Sequence, residues 1–164
     1  MLNAKVEPAP IFADNMVLQQ ESDAALWGKA TPGAKVTITG SWSKSKVTVT
    51  AGADGKWFAR IATPKAGGPY ELTFNDGDKL TLKNVLIGEV WICSGQSNME
   101  FKLNQSATGK RDIPQAANDQ IRLFDMKARW RTDAVEWKSS VLDSLNHLEY
   151  FTDATWTECT PETA

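Results

Sequence analysis

The chain predicts a small antiparallel β-sandwich that leads into an α/β domain, and three observations carry that prediction. Apolar and polar residues alternate with a period of two through the first half. Turn-forming residues separate these stretches at intervals of roughly 8–12 residues, the spacing of sandwiches and not of βαβ units. At Val85 the pattern changes to a nearly continuous apolar run, as in a strand covered on both faces.

Taken in order, Lys35-Val36-Thr37-Ile38-Thr39, Lys46-Val47-Thr48-Val49-Thr50 and Lys79-Leu80-Thr81-Leu82-Lys83 alternate strictly, so each exposes one face and buries the other. Residues 24–27, 57–61 and 70–74 are further strand candidates. Pro32-Gly33, Asp54-Gly55, Gly67-Gly68-Pro69 and Asp76-Gly77 lie between them. They supply the fixed or positive φ of tight turns, and Asp54-Gly55 and Asp76-Gly77 read as hairpin turns. Residues 1–86 are therefore expected to form an all-β, Ig-like sandwich.

Residues 85–93 read as a buried strand. Ser94-Gly95-Gln96-Ser97-Asn98-Met99-Glu100-Phe101 follows, then a loop through Thr108-Gly109-Lys110 and Pro114, and a second strand candidate at residues 121–126. From Lys127 onward no helical or strand period stands out. Residues 87–164 thus read as the opening strand–turn–strand of an α/β domain that looks unfinished.

Composition excludes several functions. With 41% hydrophobic and 23% charged residues the chain is an ordinary globular one. Its net charge of −2 gives no overall basic field for nucleic acid, and its longest apolar run is too short to span a bilayer. One histidine and two cysteines, without a C-x-x-C or H-x-x-x-H pair, give no structural zinc site. No metal or organic cofactor is expected. Cys93 and Cys159 read either as a disulfide closing a long loop or as two buried thiols. Met1-Leu2-Asn3-Ala4-Lys5 lacks the basic-then-apolar pattern of a signal peptide.

Ser97 is the strongest candidate for chemistry. It follows the apolar run and Gly95 and precedes a helix start, where a hydroxyl would stand at the carboxyl end of a sheet. Its own N–H could there stabilise an oxyanion. The pattern is not G-x-S-x-G, because Met99 holds the second glycine position. Ser97-x-x-Glu100 reads equally as a capping box, in which both side chains satisfy free N–H groups of a helix. Cys93 and Ser94 are weaker nucleophile candidates, falling within or at the end of the apolar run.

The block Gly88-Glu89-Val90-Trp91-Ile92-Cys93-Ser94-Gly95-Gln96-Ser97-Asn98-Met99-Glu100 resembles the first conserved block of sialate O-acetylesterases, within the SGNH (GDSL-like) hydrolases. The similarity extends upstream through Phe12-Ala13-Asp14-Asn15-Met16-Val17-Leu18-Gln19, Trp27-Gly28, Asp54-Gly55-Lys56-Trp57 and Ala66-Gly67-Gly68-Pro69-Tyr70-Glu71-Leu72. It extends downstream through Trp156-Thr157-Glu158-Cys159-Thr160-Pro161-Glu162-Thr163. The resemblance implies a secreted or periplasmic bacterial enzyme that removes O-acetyl groups from sialic acids (9-O-acetyl type) or related glycans. It also implies a β-sandwich beside a flavodoxin-like α/β/α catalytic domain, with Ser97 as nucleophile and oxyanion donor and Gln96 and Asn98 flanking the pocket.

In that family the base comes from a later Asp-x-x-His block and further oxyanion donors from a glycine and an asparagine. None of these blocks occurs among these residues, so a C-terminal segment or companion chain is expected to complete the catalytic domain, and the chain alone is expected to be nearly inactive. His147, near Asp143 and Asp153, matches no such block and reads as a loop histidine.

Of the seven tryptophans, Trp57 and Trp91 are expected in the core. Trp42, Trp130 and Trp137 lie near turns and are candidates for sugar contacts. Arg129-Trp130-Arg131 could hold a sugar carboxylate, although a solvated charged loop is the simpler reading. A competing function is a non-catalytic carbohydrate-binding or interaction module built on the sandwich.

Overall fold

The computed structural model describes residues 5–44, 46–95, 97–126 and 154–163, with the main chain alone for Ser97 and Glu100. Strands dominate. They are β1 (Glu7–Pro8), β2 (Val17–Gln19), β3 (Asp23–Lys29), β4 (Lys35–Gly40), β5 (Lys46–Thr50), β6 (Lys56–Ala62), β7 (Gly67–Asn75), β8 (Lys79–Gly88), β9 (Asn118–Phe124) and β10 (Trp156–Cys159). One sheet has the order β1-β3-β6, a second β2-β8-β7-β4-β5, and β9 and β10 form a separate ribbon. All pairings are antiparallel except β2 on β8.

Where alternation marks a strand it also aims the strand's side chains. Along β6, Trp57, Ala59 and Ile61 are buried while Lys56, Phe58, Arg60 and Ala62 are exposed. Along β4, Val36 and Ile38 point inward between Lys35, Thr37 and Thr39. The inward residues of the two larger sheets share one core, which includes Leu26, Val36, Ile38, Trp57, Leu72, Phe74 and Val85. Trp57 of the three-stranded sheet meets Phe74 of the five-stranded sheet at 5.6 Å between ring centroids. Burying each such side chain contributes about 1.5–3 kcal/mol relative to leaving it in water. The outward face of the five-stranded sheet is threonine-rich, with Thr37–Thr48 and Thr73–Thr81 hydroxyl contacts, each 3.1 Å.

Asp76-Gly77 closes the β7–β8 hairpin, with Asn75 opposite Lys79 and Gly77 at φ +125°. Asp54-Gly55 does not make a hairpin. It connects β5 to β6, which lie in different sheets, because the same positive-φ turn chemistry serves a crossing between layers as well as a hairpin. Gly67-Gly68-Pro69 is likewise not a loop: β7 begins at Gly67, and its ladder with β8 is irregular between Gly67 and Tyr70.

Residues 85–93 do not form a buried strand of a second layer. Val85, Leu86 and Ile87 are buried as the last part of β8, which runs through Gly88. Val90, Trp91 and Ile92 are exposed, Trp91 by 83% and Ile92 by 91%. The final rung is Gln19 opposite Gly88; beyond it the chain has no sheet neighbour among the described residues, and a run without a ladder gains neither ladder hydrogen bonds nor cover.

The candidate strand at 121–126 is realised as β9, displaced toward the N-terminus. Its partner β10 falls where no period was legible. Trp156 explains that strand: its Nε1–H donates to the Ile11 carbonyl at 2.7 Å and its ring lies 5.0 Å from Phe124. The ribbon is thus held by its antiparallel ladder, by the Trp156 contacts and by the Arg122–Glu158 ion pair at 3.3 Å.

Cys93 and Cys159 are both free; Cys93 is exposed and Cys159 half-buried, with its thiol directed at the Ala116 carbonyl at 3.1 Å. Neither the disulfide nor the pair of buried thiols is realised.

Candidate functional site

The elements before Ser97 determine how the chain reaches it. β8 ends at Gly88, and the next residues are held by the end of β2. The Val90 N–H donates to Gln19 Oε1 at 2.9 Å, and Gln19 Nε2 donates to Glu89 Oε2 at 3.1 Å. Gln20 Nε2 donates to Glu89 Oε1 at 2.6 Å, while Gln20 Oε1 accepts from the Ala66 N–H at 2.8 Å. The two amide donors, Gln20 foremost and then Gln19, hold the Glu89 carboxyl below the usual carboxylate range.

This clamp is itself supported from beneath. Thr63, the buried polar residue of the described core, sends its hydroxyl to the Gln19 carbonyl at 2.7 Å. The same Oγ1 accepts from the Ser22 N–H at 3.1 Å. Thr63 thus fixes the Gln19 main chain, and the Gln19 side chain fixes residues 89 and 90. Sequence reasoning assigned no role to Gln19, Gln20 or Thr63. The available signal was two consecutive glutamines at the end of a strand that pairs beside the block.

After residues 89–95 the chain turns. Ser97–Glu100 is a single 3₁₀ turn, shorter than the helix expected there. A Cβ on residue 95 would come within 2.8 Å of Met99 Cγ, so Met99 folds back over Gly95 and the absence of a side chain there permits the close turn. Asn98, Met99 and Phe101 are exposed. Ser97 therefore opens a tight turn at the end of an exposed segment tied back to β2, and Asn98 lies beside it in the chain. Gln96, the other flanking residue, lies outside the described residues, as do His147, Asp143, Asp153, Arg129, Trp130, Arg131 and Trp137. The capping-box reading needs the Ser97 and Glu100 side chains, which also lie outside them.

The tryptophans divide differently from expectation. Trp57 is buried, with its Nε1–H on the Lys29 carbonyl at 3.0 Å. Trp91 is exposed, because the strand that would have buried it is absent from the described sheets. Trp42 is half-buried against Tyr70, 5.6 Å between centroids, with its Nε1–H on the Ala62 carbonyl at 3.0 Å; it packs a corner of the fold. Among the described residues no cluster of His, Cys, Asp and Glu could hold a metal ion. None of the described helices is long and apolar enough to cross a membrane.

No family model matches the chain. It is 35% identical over 127 residues to the sialate O-acetylesterase of Mus musculus, covering 70% of this chain and 24% of that protein. With the sialate O-acetylesterase of Homo sapiens it shares 29% identity over 169 residues, 90% of this chain and 32% of that protein. In three dimensions it is similar to a carbohydrate acetylesterase from Xanthomonas citri, with a TM-score of 0.81 and 30% identity over 98% of this chain and 34% of that one. The chain thus spans about a quarter to a third of the length of these relatives.

Proposed function

We propose, for a chain of this sialate O-acetylesterase-like family, that it contributes the nucleophile-bearing part of a carbohydrate O-acetylesterase. In this reading Ser97 attacks the acetyl carbonyl, the ester C–O bond breaks, and the sugar hydroxyl leaves with a proton delivered by a general acid. Water then hydrolyses the acetyl-serine to acetate and free Ser97. The Ser97 N–H is one oxyanion donor, and Gln96 and Asn98 flank the acetyl pocket. The substrate class is an O-acetylated sialic acid (9-O-acetyl type) or a related glycan, met in a periplasmic or secreted setting.

The observation that carries this reading is the position of Ser97. It opens a tight turn one short segment beyond β8, and the Gln19 and Gln20 side chains hold the first two residues of that segment, Glu89 and Val90. In domain terms, residues 1–86 are an Ig-like sandwich and residues 87–164 begin an SGNH catalytic layer. A histidine base and its acidic partner come from a C-terminal segment or companion chain. Without them the Ser97 hydroxyl stays protonated at neutral pH, and loss of a base costs several powers of ten in rate.

Acetate release from O-acetylated sialic acid tests the proposal. We expect near-background turnover from the 164-residue chain, esterase turnover from a longer protein carrying an Asp-x-x-His block, and its loss in Ser97→Ala. Full turnover in Ser97→Ala would remove Ser97 from the mechanism. Sugar binding by residues 1–86 that ignores Ser97→Ala, with no turnover in the longer protein, would instead make the chain a binding module.

A further inference from the structure

The chain leaves the sandwich at the end of β8, carries the Ser97 turn and comes back as β9, so residues 89–117 form an excursion. A loop holds one course only when both of its ends are fixed. The entry is held by Gln19 and Gln20 on Glu89 and Val90. The return depends on β9, which pairs with β10 in a ribbon of two strands. Two strands by themselves are marginally stable in water. These two also lie far apart in the chain, which adds a loop-closure cost to their pairing. The ladder alone therefore does not secure the return end.

The register places Trp156 opposite Phe124 and Glu158 opposite Arg122, so these four share one face of the ribbon. That face meets the sandwich. The Trp156 ring packs against the shared core, and its Nε1–H donates to the Ile11 carbonyl at 2.7 Å. The Arg122 side chain is only 3% exposed, although the ribbon has just two strands to cover it. Glu158 Oε1 lies 3.3 Å from the Arg122 guanidinium and accepts from Asn84 Nδ2 of β8 at 3.4 Å. Asn84 is itself firmly placed. Its Nδ2 donates to Asn15 Oδ1 at 2.7 Å, and the Asn15 N–H donates to the Lys83 carbonyl at 3.1 Å. Asn84 and Asn15 stand at φ +55° and +67°, left-handed conformations that asparagine adopts more readily than most residues. Glu158 thus joins both strands of the ribbon to a bend of β8 already stapled from residues 14–16.

We propose that this face is the second anchor of the excursion. Trp156 and Glu158 are positioning residues that hold its return end on the sandwich, as Gln19 and Gln20 hold its entry. With both ends tied to one body, the Ser97 turn between them is confined to a narrower range of positions, and catalysis is sensitive to small misplacements of its groups. The catalytic meaning of the anchor rests on the Ser97 reading; the anchoring itself does not.

Amide-resolved hydrogen exchange of the full 164-residue chain tests the anchor without any turnover. Trp156→Phe keeps a ring beside Phe124 and removes the Nε1–H, while Glu158→Ala removes the link to Asn84. In each variant the β9–β10 ladder amides should exchange about tenfold faster or more, with protection in β4 and β7 unchanged. The amide resonances of residues 98–116 should also shift. Unchanged ladder exchange, or an equal acceleration in β4 and β7, would overturn the anchor. In a longer protein that releases acetate, the same variants should lower kcat about tenfold and leave KM within about twofold. An unchanged kcat with a loosened ladder would overturn the positioning role. Failure of the nucleophile reading is seen in a different variant, as full turnover in Ser97→Ala, so the two failures are told apart.

Discussion

Two stretches of similar apolar character meet opposite fates in this molecule. Val85, Leu86 and Ile87 are buried, whereas Val90, Trp91 and Ile92, a few residues later, are exposed. Intrinsic hydrophobicity does not separate them. The first stretch is flanked by β2 and β7, and its Val85 and Ile87 face the shared core. The second has no ladder partner among the described residues and is held by a glutamine side chain instead. Burial belongs to a segment together with its neighbours, and the segment that leads to Ser97 has no neighbouring strand among the described residues.

The largest expected effect contrasts the two regions directly. Phe74→Ala, at a fully buried position, should cost about 3–5 kcal/mol in denaturant unfolding. Trp91→Ala should stay within about 0.5 kcal/mol. A Trp91→Ala loss as large as that of Phe74→Ala would mean that residues 89–95 are covered in solution.

Next in size is the support under the clamp. Thr63→Val should destabilise by about 1–3 kcal/mol, because it leaves the Ser22 N–H without its hydroxyl partner and removes one of the two hydroxyls, those of Thr63 and Ser22, that donate to the Gln19 carbonyl. A smaller and more local effect is expected for Gln19→Ala. Hydrogen exchange at the Val90 amide should accelerate about tenfold or more, with protection in β4 and β7 unchanged. Uniform loss of protection would show that Gln19 supports the whole fold and not the exit from β8.

The smallest effect is in pH. The Glu89 carboxyl is held below its usual range, so its stabilising contribution is present above the unfolded-state carboxylate pKa. It is lost as pH falls through the depressed folded value. Val90 protection should therefore weaken on acidification only below the ordinary carboxylate range, and Glu89→Gln should flatten that dependence. Because Glu89 is exposed, the change should be visible at Val90 and not in global stability.

These contrasts also explain what the sequence could disclose. Strict alternation over 35–39, 46–50 and 79–83 was enough to identify β4, β5 and the start of β8, because a strand with one dry face must alternate. Turn chemistry located Asp54-Gly55 but could not tell which sheet the next strand would join, since that depends on long-range pairing. Gly67-Gly68-Pro69 misled for the opposite reason: an irregular start of β7 uses the residues that loops use. β10 was not legible because what holds it is long-range: its ladder to β9 and the contacts of Trp156 with Ile11 and Phe124. At the candidate site, Ser97 is proposed from its block, while Gln19, Gln20 and Thr63 emerged only once β2 was seen to run beside β8.

The central claim is that Ser97 is the acyl-accepting nucleophile. The most direct test is covalent labelling with an organophosphonate, mapped by peptide mass in a preparation that releases acetate from an O-acetylated sugar. The account predicts a single adduct on Ser97 that forms as activity is lost. Loss of activity with Ser97 unmodified and the adduct on another residue would contradict it.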